Sequence, residues 1–245
     1  MRTAYQRHLP VAGTFNIRDL GGYALSGGET RWRRLLRADG LHRLDAEGIA
    51  ALTREGVTTI IDLRRDEELR SQPNPFHDHP AVAYHNVSLF DALDPKRMVE
   101  GDVLLDLYRR ALSNGPQAFA RVFTLIAEAP DGVVLFHCTA GKDRTGLIAA
   151  LILSLAGVET PLVLEDYALT ARMIEPMIEE IITHAVARGA DVESFRPLLA
   201  CEARTMAGAL AHIVEEHGSV ERYLAAIGLP GETIARLRKR IAEED

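Results

Sequence analysis

Cys138 stands where three kinds of chemistry meet. Val133-Val134-Leu135-Phe136-His137 leads into it. Thr139-Ala140-Gly141-Lys142-Asp143-Arg144-Thr145-Gly146 follows, and then an apolar stretch from Leu147 to Leu155. An apolar, partly β-branched run, a glycine-containing charged segment and a second apolar run read as a buried strand, a tight loop and a helix N-terminus. Seven successive backbone N–H groups, from Thr139 to Thr145, fall in a segment too short for regular structure. Curled around one point, such amides form an anion-binding nest, and the positive end of the following helix adds to the same field. Phosphate, with oxygens on every side, fits that arrangement. Arg144 follows Cys138 by six residues, so its guanidinium can close the rim and grip two oxygens.

At the floor of such a bowl the thiolate is favoured over the thiol, because the nest, the helix end, Lys142 and Arg144 all stabilise negative charge. Thr145 can donate its hydroxyl to the sulfur, which also makes sulfur a better leaving group. The expected chemistry is nucleophilic attack by Cys138 on phosphorus, with Arg144 and the amides of Thr139, Ala140, Gly141 and Lys142 holding the equatorial oxygens. The competing reading is a buried cysteine at a strand end with no chemistry.

The string HCTAGKDRTG, with its preceding strand and following helix, resembles the signature of the cysteine-based protein tyrosine phosphatase superfamily. Its particular form is similar to a bacterial tyrosine-phosphatase family with mycobacterial and Listeria members. Phe15-Asn16-Ile17-Arg18-Asp19-Leu20-Gly21-Gly22-Tyr23 resembles the N-terminal motif of the same family, so the likeness spans most of the chain. The resemblance implies phosphomonoester hydrolysis without a cofactor or metal, a catalytic role for Asp143 and helical lid segments over the site. It also implies phosphotyrosine proteins first and phosphoinositides second as substrates, because the loop shares Ala140-Gly141-Lys142 and Arg144-Thr145-Gly146 with phosphoinositide phosphatases. On that reading Lys142 contacts a second phosphate. A non-catalytic phosphate-recognition module remains the alternative.

The leaving group needs an acid. Asp143 is the first candidate, although Lys142, Arg144 and a helix N-terminus all disfavour its protonated form. Asp62 is second, with Asp91 and Asp94 behind it. Two readings stand for Arg18: it lines the phosphate pocket, or it is a structural ion pair holding the N-terminal hairpin. Asp19 reads as structural. Asp62 and Arg64 close the strand Val57 to Arg64, and ligands collect at the carboxyl ends of parallel strands, which puts both in reach of the loop. Alternatively, Asp62 supports a neighbouring loop and never meets substrate.

Several elements must position these groups. Gly27-Gly28 reads as a hairpin turn, with Thr30 to Arg37 returning as a strand. Asp45 caps a helix to about Glu55. Strands follow over 57–64 and 81–89, then helices over 103–112 and 117–129. After the loop, Leu147 to Ala156 is a helix buried on nearly every side, with Gly157 as its C-cap and Pro161 opening the next helix. Met173, Ile174, Met177, Ile178, Ile181, Ile182 and Ala185 form an apolar stripe at helical period, and residues 172–199 are the expected lid. Three C-terminal helices complete the chain. The βα alternation predicts an α/β fold, a mostly parallel sheet flanked by helices, in one domain spanning 1–245.

Composition narrows the partners. The 245 residues carry a net charge of −7, from 35 acidic and 28 basic side chains, which argues against a nucleic-acid surface. The basic residues Arg236 to Arg240 suit a helix C-terminus better than a DNA reader. Two cysteines make no disulfide framework, and Cys201 reads as a small core residue on a helix. The cluster His77-Asp78-His79 has no partner at metal-ligand spacing. No apolar run reaches the roughly 20 residues of a membrane span, and residues 1–10 lack a signal-peptide core. Stable membrane insertion is not expected, and the expected location is cytoplasmic, with export by a signal-less route left open.

Overall fold

A computed structural model of the chain describes residues 5–89, 102–187 and 189–242. The central sheet has strand order β1-β4-β7-β5-β6, built from β1 (Arg18–Asp19), β4 (Leu35–Ala38), β7 (Val133–His137), β5 (Val57–Asp62) and β6 (Ala83–Asn86). Only β1 runs antiparallel to its neighbour; the other pairings are parallel. β2 (Ala24–Leu25) and β3 (Gly28–Glu29) form a separate hairpin across the predicted turn. The fold is therefore α/β with a mostly parallel sheet, as the alternation implied.

The pleat divides the core. Leu36, Ile60, Val133 and Leu135 point to one face, where the N-terminal segment and α1 (Ala46–Arg54) pack. Leu35, Ile61, Val134 and Phe136 point to the other, covered by most of the remaining helices. These are α3 (Val103–Asn114), α4 (Pro116–Glu128), α5 (Asp143–Ala156), α6 (Thr160–Ile174), α9 (Ala203–His217), α10 (Val220–Ala226) and α11 (Gly231–Ile241). β7 has neighbours on both sides and helices above and below, so its run of apolar residues needs no polar alternate. Each fully buried Leu, Ile or Phe there contributes about 1.5–3 kcal/mol of transfer free energy.

Local chemistry sets the boundaries. The Asp45 carboxylate accepts from Gly48 N at 2.9 Å and starts α1. Gly157, at φ +89°, ends α5 in the left-handed cap that favours glycine. The expected strand from Thr30 shortens to four residues, because Arg33 adopts φ +55° and breaks the extended run. Asp19 holds that kink by accepting from Arg33 N at 2.9 Å and Arg33 Nη1 at 2.6 Å. The apolar stripe after α6 is interrupted at Pro176. It continues as a 3-10 turn, Glu175–Met177, then α7 (Ile178–Ala187), α8 (Val192–Phe195) and a second 3-10 turn, Arg196–Leu199. Cys201 is buried as expected but lies outside any helix, its thiol directed at Leu199 O at 3.7 Å. A helix absent from the sequence reading, α2 (Asp66–Ser71), follows β5. Among the described residues no helix is long and apolar enough to cross a membrane.

Candidate active site

β7 sits between β4 and β5 with Ala38 and Asp62 both level with His137, so the carboxyl ends of three parallel strands converge on Cys138. The loop from Cys138 to Lys142 leaves β7 and enters α5 at Asp143, which places Arg144 and Thr145 in the first helical turn. Gly141 makes the bend possible. It has φ +66°, and a Cβ on it would stand 2.6 Å from Ala38 O.

The scaffold turns the loop carbonyls outward. Thr139 O accepts from Gly40 N at 2.9 Å, and Ala140 O from Asn16 Nδ2 at 2.9 Å. Gly141 O accepts from Arg37 Nη2 at 2.8 Å and Asn16 Nδ2 at 3.3 Å, and Lys142 O from Gly146 N at 2.9 Å. With the carbonyls engaged outward, the amides face the concave side. Among the described residues, no acceptor takes a hydrogen bond from the N–H groups of residues 139–145. These donors, the α5 N-terminus and the 2 % exposed Cys138 together make an oxyanion bowl with sulfur in its wall.

Arg144 is held in place by a residue that the sequence did not flag. Glu68, on α2, receives Arg144 Nη1 at 2.7 Å and Nη2 at 2.9 Å, a bidentate fork, and also the Thr139 hydroxyl. Burial pushes the Glu68 carboxyl up, but the Arg144 hydrogen bonds and charge outweigh it and bring it down to about 2. The available signal was local: Glu68 lies three residues after the helix-capping Arg65 and accepts from Arg65 N at 3.0 Å, a capping pattern. Its partner, by contrast, lies far along the chain.

Three residues offered as substrate contacts are placed elsewhere, Arg18 and Asp62 in the structural alternatives given for them. The Arg18 guanidinium lies fully buried away from the bowl, on Asp166 Oδ1 at 3.3 Å, Asp166 O at 2.9 Å and Thr170 Oγ1 at 3.1 Å; it also donates to Asn16 Oδ1. It therefore orients the Asn16 amide that grips the loop. Asp62 is saturated by Arg64 Nε at 2.9 Å, Arg64 Nη2 at 2.7 Å, Asn74 Nδ2 at 3.0 Å and Tyr84 OH at 3.1 Å, with His137 Nε2 at 3.2 Å. Burial pushes its pKa up, but His137 and Arg64 outweigh that and hold the carboxyl well below the usual carboxylate range, which disfavours a protonated Asp62. Arg64 closes on Asp62 and on Gln72 O at 2.9 Å, because a fully buried guanidinium requires that pairing.

Lys142 is also buried. Its ammonium sits 2.6 Å from Asp143 Oδ1, 2.8 Å from Leu198 O and 3.3 Å from Ala200 O, so the expected reach toward a second phosphate is replaced by a tie to the end of segment 172–199. Thr145 Oγ1 is buried with no hydrogen-bond partner among the described residues, and the expected bond to Cys138 sulfur is not made. Asp143 remains partly open, its side chain 20 % exposed, with Oδ1 accepting from Tyr108 OH at 2.7 Å. Asp91 and Asp94 lie outside the described residues.

The charges close unevenly. Glu68 offsets Arg144, Asp143 offsets Lys142 and Asp62 offsets Arg64. Behind Gly141, however, two buried guanidiniums, Arg18 and Arg37, share one carboxylate, Asp166. One positive charge is left in a dry environment against the back of the loop, where Coulomb interactions are strong. The arrangement can hold a bound oxyanion.

The model of the tyrosine phosphatase family matches residues 9–243. The chain is 34% identical over 208 residues to a tyrosine-protein phosphatase of Nostoc commune, covering 81% of this chain and 70% of that protein. It is 30% identical over 281 residues to the triple specificity protein phosphatase PtpB of Mycobacterium tuberculosis, covering 95% of this chain and 97% of the relative. The crystal structure of P. aeruginosa TpbA aligns over 67% of this chain and 85% of that one at 22% identity, with a TM-score of 0.32, and adds nothing to the family match.

Proposed function

Because the chain belongs to the tyrosine phosphatase family and is a cysteine-dependent phosphatase, we propose that its substrates are phosphotyrosine proteins first, with phosphoinositides second. The observation that carries the mechanism is the loop of outward carbonyls and unpaired inward amides around Cys138, with Arg144 aimed by Glu68. The Cys138 thiolate attacks phosphorus in line. A sulfur–phosphorus bond forms as the phosphorus–oxygen bond to the leaving group breaks, and Asp143 protonates the departing oxygen. Water then attacks phosphorus, returning thiolate and inorganic phosphate. Loop amides and Arg144 follow the charge on the equatorial oxygens through both steps.

A bowl whose sulfur is nearly buried favours a long phosphoaryl side chain over the shorter phosphoserine. The breadth in the name of PtpB supports a wider range, phosphoinositides included. For this chain, contact with a second ring phosphate requires Lys142 to leave Leu198 O and Ala200 O. Segment 172–199 is proposed as a lid: Glu180 on α7 pairs with Arg43 at 3.2 Å, and Leu198 meets Lys142. Replacing Glu180 by Ala should speed peroxide inactivation of Cys138; an unchanged rate rejects the lid.

The decisive assay is phosphate release from 4-nitrophenyl phosphate, phosphotyrosine and phosphoserine peptides and phosphoinositides, with Cys138→Ser as control. Turnover abolished in that variant and greatest on phosphotyrosine is expected. Tight phosphate binding with no turnover in the wild-type chain supports a recognition module instead. Nucleophile and charge clamp both come from the protein, so activity is expected to survive EDTA.

A further inference from the structure

Two buried tyrosines have no part in the mechanism as described. Tyr108 on α3 and Tyr167 on α6 are 0% and 1% exposed, their rings meet edge to face at 6.3 Å, and their hydroxyls lie 2.8 Å apart. Tyr108 OH is also 2.7 Å from Asp143 Oδ1. We infer that Tyr108, backed by Tyr167, is the positioning residue that turns the Asp143 carboxyl so that Oδ2 carries the proton to the leaving group. The inference rests on Asp143 being the general acid.

The hydrogen-bond logic is directional. An ionised carboxylate only accepts, so the single proton of Tyr108 points to Oδ1. Tyr167 must then donate to the Tyr108 oxygen, giving a chain from Tyr167 to Tyr108 to Asp143. Burial first, and then the charge of Asp143, push the pKa of the Tyr108 phenol well above that of a free phenol, so it stays a donor throughout the working range. Lys142 Nζ approaches the same oxygen, Oδ1, at 2.6 Å. Both donors converge on one carboxylate oxygen, and among the described residues Oδ2 has no partner. The carboxyl is thus fixed in rotation by one oxygen and leaves the other for proton transfer. Of the two donors on Oδ1, Tyr108 is the one held on a separate helix, and general-acid efficiency depends on geometry before acidity.

The test is a leaving-group split. Tyr108→Phe removes one oxygen and keeps the ring packing. With 4-nitrophenyl phosphate, whose leaving group departs without a proton, kcat is expected within twofold of wild type. With an alkyl phosphate or unsubstituted phenyl phosphate it is expected to fall about tenfold, a fraction of the full effect of general-acid catalysis, roughly 100-fold or more. Tyr167→Phe should show the same selectivity at about threefold, since Tyr108 loses only its own donor; this second variant decides the matter if Tyr108→Phe does not fold. Asp143→Asn is measured alongside. If that variant is insensitive to leaving group, the acid assignment itself fails. If Asp143→Asn is selective while Tyr108→Phe follows wild type on both substrates, or loses both equally, the positioning role is overturned.

Discussion

Replacing Glu68 by Gln preserves size and an amide oxygen for Thr139, but removes the charge facing Arg144. Arg144 is 6 % exposed and Glu68 7 %, so the guanidinium would be left in a dry site with its two strongest partners weakened. Removing one partner of a buried pair typically costs about 3–5 kcal/mol. A second route gives a similar size. Burial raises the Glu68 carboxyl and Arg144 more than reverses it, so the group falls from 4.5 to about 2 on folding, worth about 3 kcal/mol at neutral pH. The folded value is the lower one. The contribution is therefore complete above pH 4.5 and is lost as pH falls through about 2. Urea unfolding of wild type and Glu68→Gln should differ by about 3 kcal/mol between pH 7 and 5, and by roughly half that at pH 3. kcat/KM on 4-nitrophenyl phosphate should fall at least tenfold, because the clamp loses its aim. A stability gap that does not change with pH, or one below about 1 kcal/mol at pH 7, would refute the assignment of Glu68 as the charged anchor of the clamp.

Other perturbations probe other parts of the cage. Gly141→Ala places a methyl 2.6 Å from Ala38 O at a φ of +66°, and should cost about 2 kcal/mol or more and lower turnover over 100-fold; a variant with wild-type melting and rate would show that the bend tolerates a side chain. Arg37→Met leaves Arg18 and Asp166 as a balanced pair, so the fold should persist while vanadate inhibition weakens about tenfold, or ~1.4 kcal/mol. An unchanged inhibition constant would mean that the surplus charge behind Gly141 does nothing for the anion. Lys142→Met frees Leu198 O and Ala200 O and should accelerate amide exchange across 196–201. Selective loss of phosphoinositide hydrolysis with unaltered exchange would instead place the ammonium in the substrate site.

The parts of the fold legible in sequence were those set by near neighbours. β7 and α5 are continuous apolar runs bounded by a charged loop, α1 begins at a side chain that bonds Gly48, and Gly157 supplies a left-handed cap. Cys138 and Arg144 declare themselves because the loop's spacing and its chemistry are the same thing. Glu68, Asn16 and Arg37 do not, because their meaning lies in partners 76, 124 and 104 residues away. Arg18 and Asp62 illustrate why two readings stood for each: a charged residue near a catalytic motif looks like a ligand until its burial reveals the opposite charge that claims it. Arg33 misled strand assignment for a related reason, since its positive φ is bought by the carboxylate of Asp19 on another strand.

The grip on the loop comes from both sides of the chain: Asn16 and Arg37 from its start, and Asp166, which steadies Arg37, from well past the nucleophile. A growing polypeptide therefore cannot present a finished catalytic cradle when Cys138 leaves the ribosome; the sulfur must wait for α6 to emerge. Contacts this distant in sequence form late, so regain of turnover should trail regain of helical circular dichroism during refolding, and simultaneous recovery would contradict it.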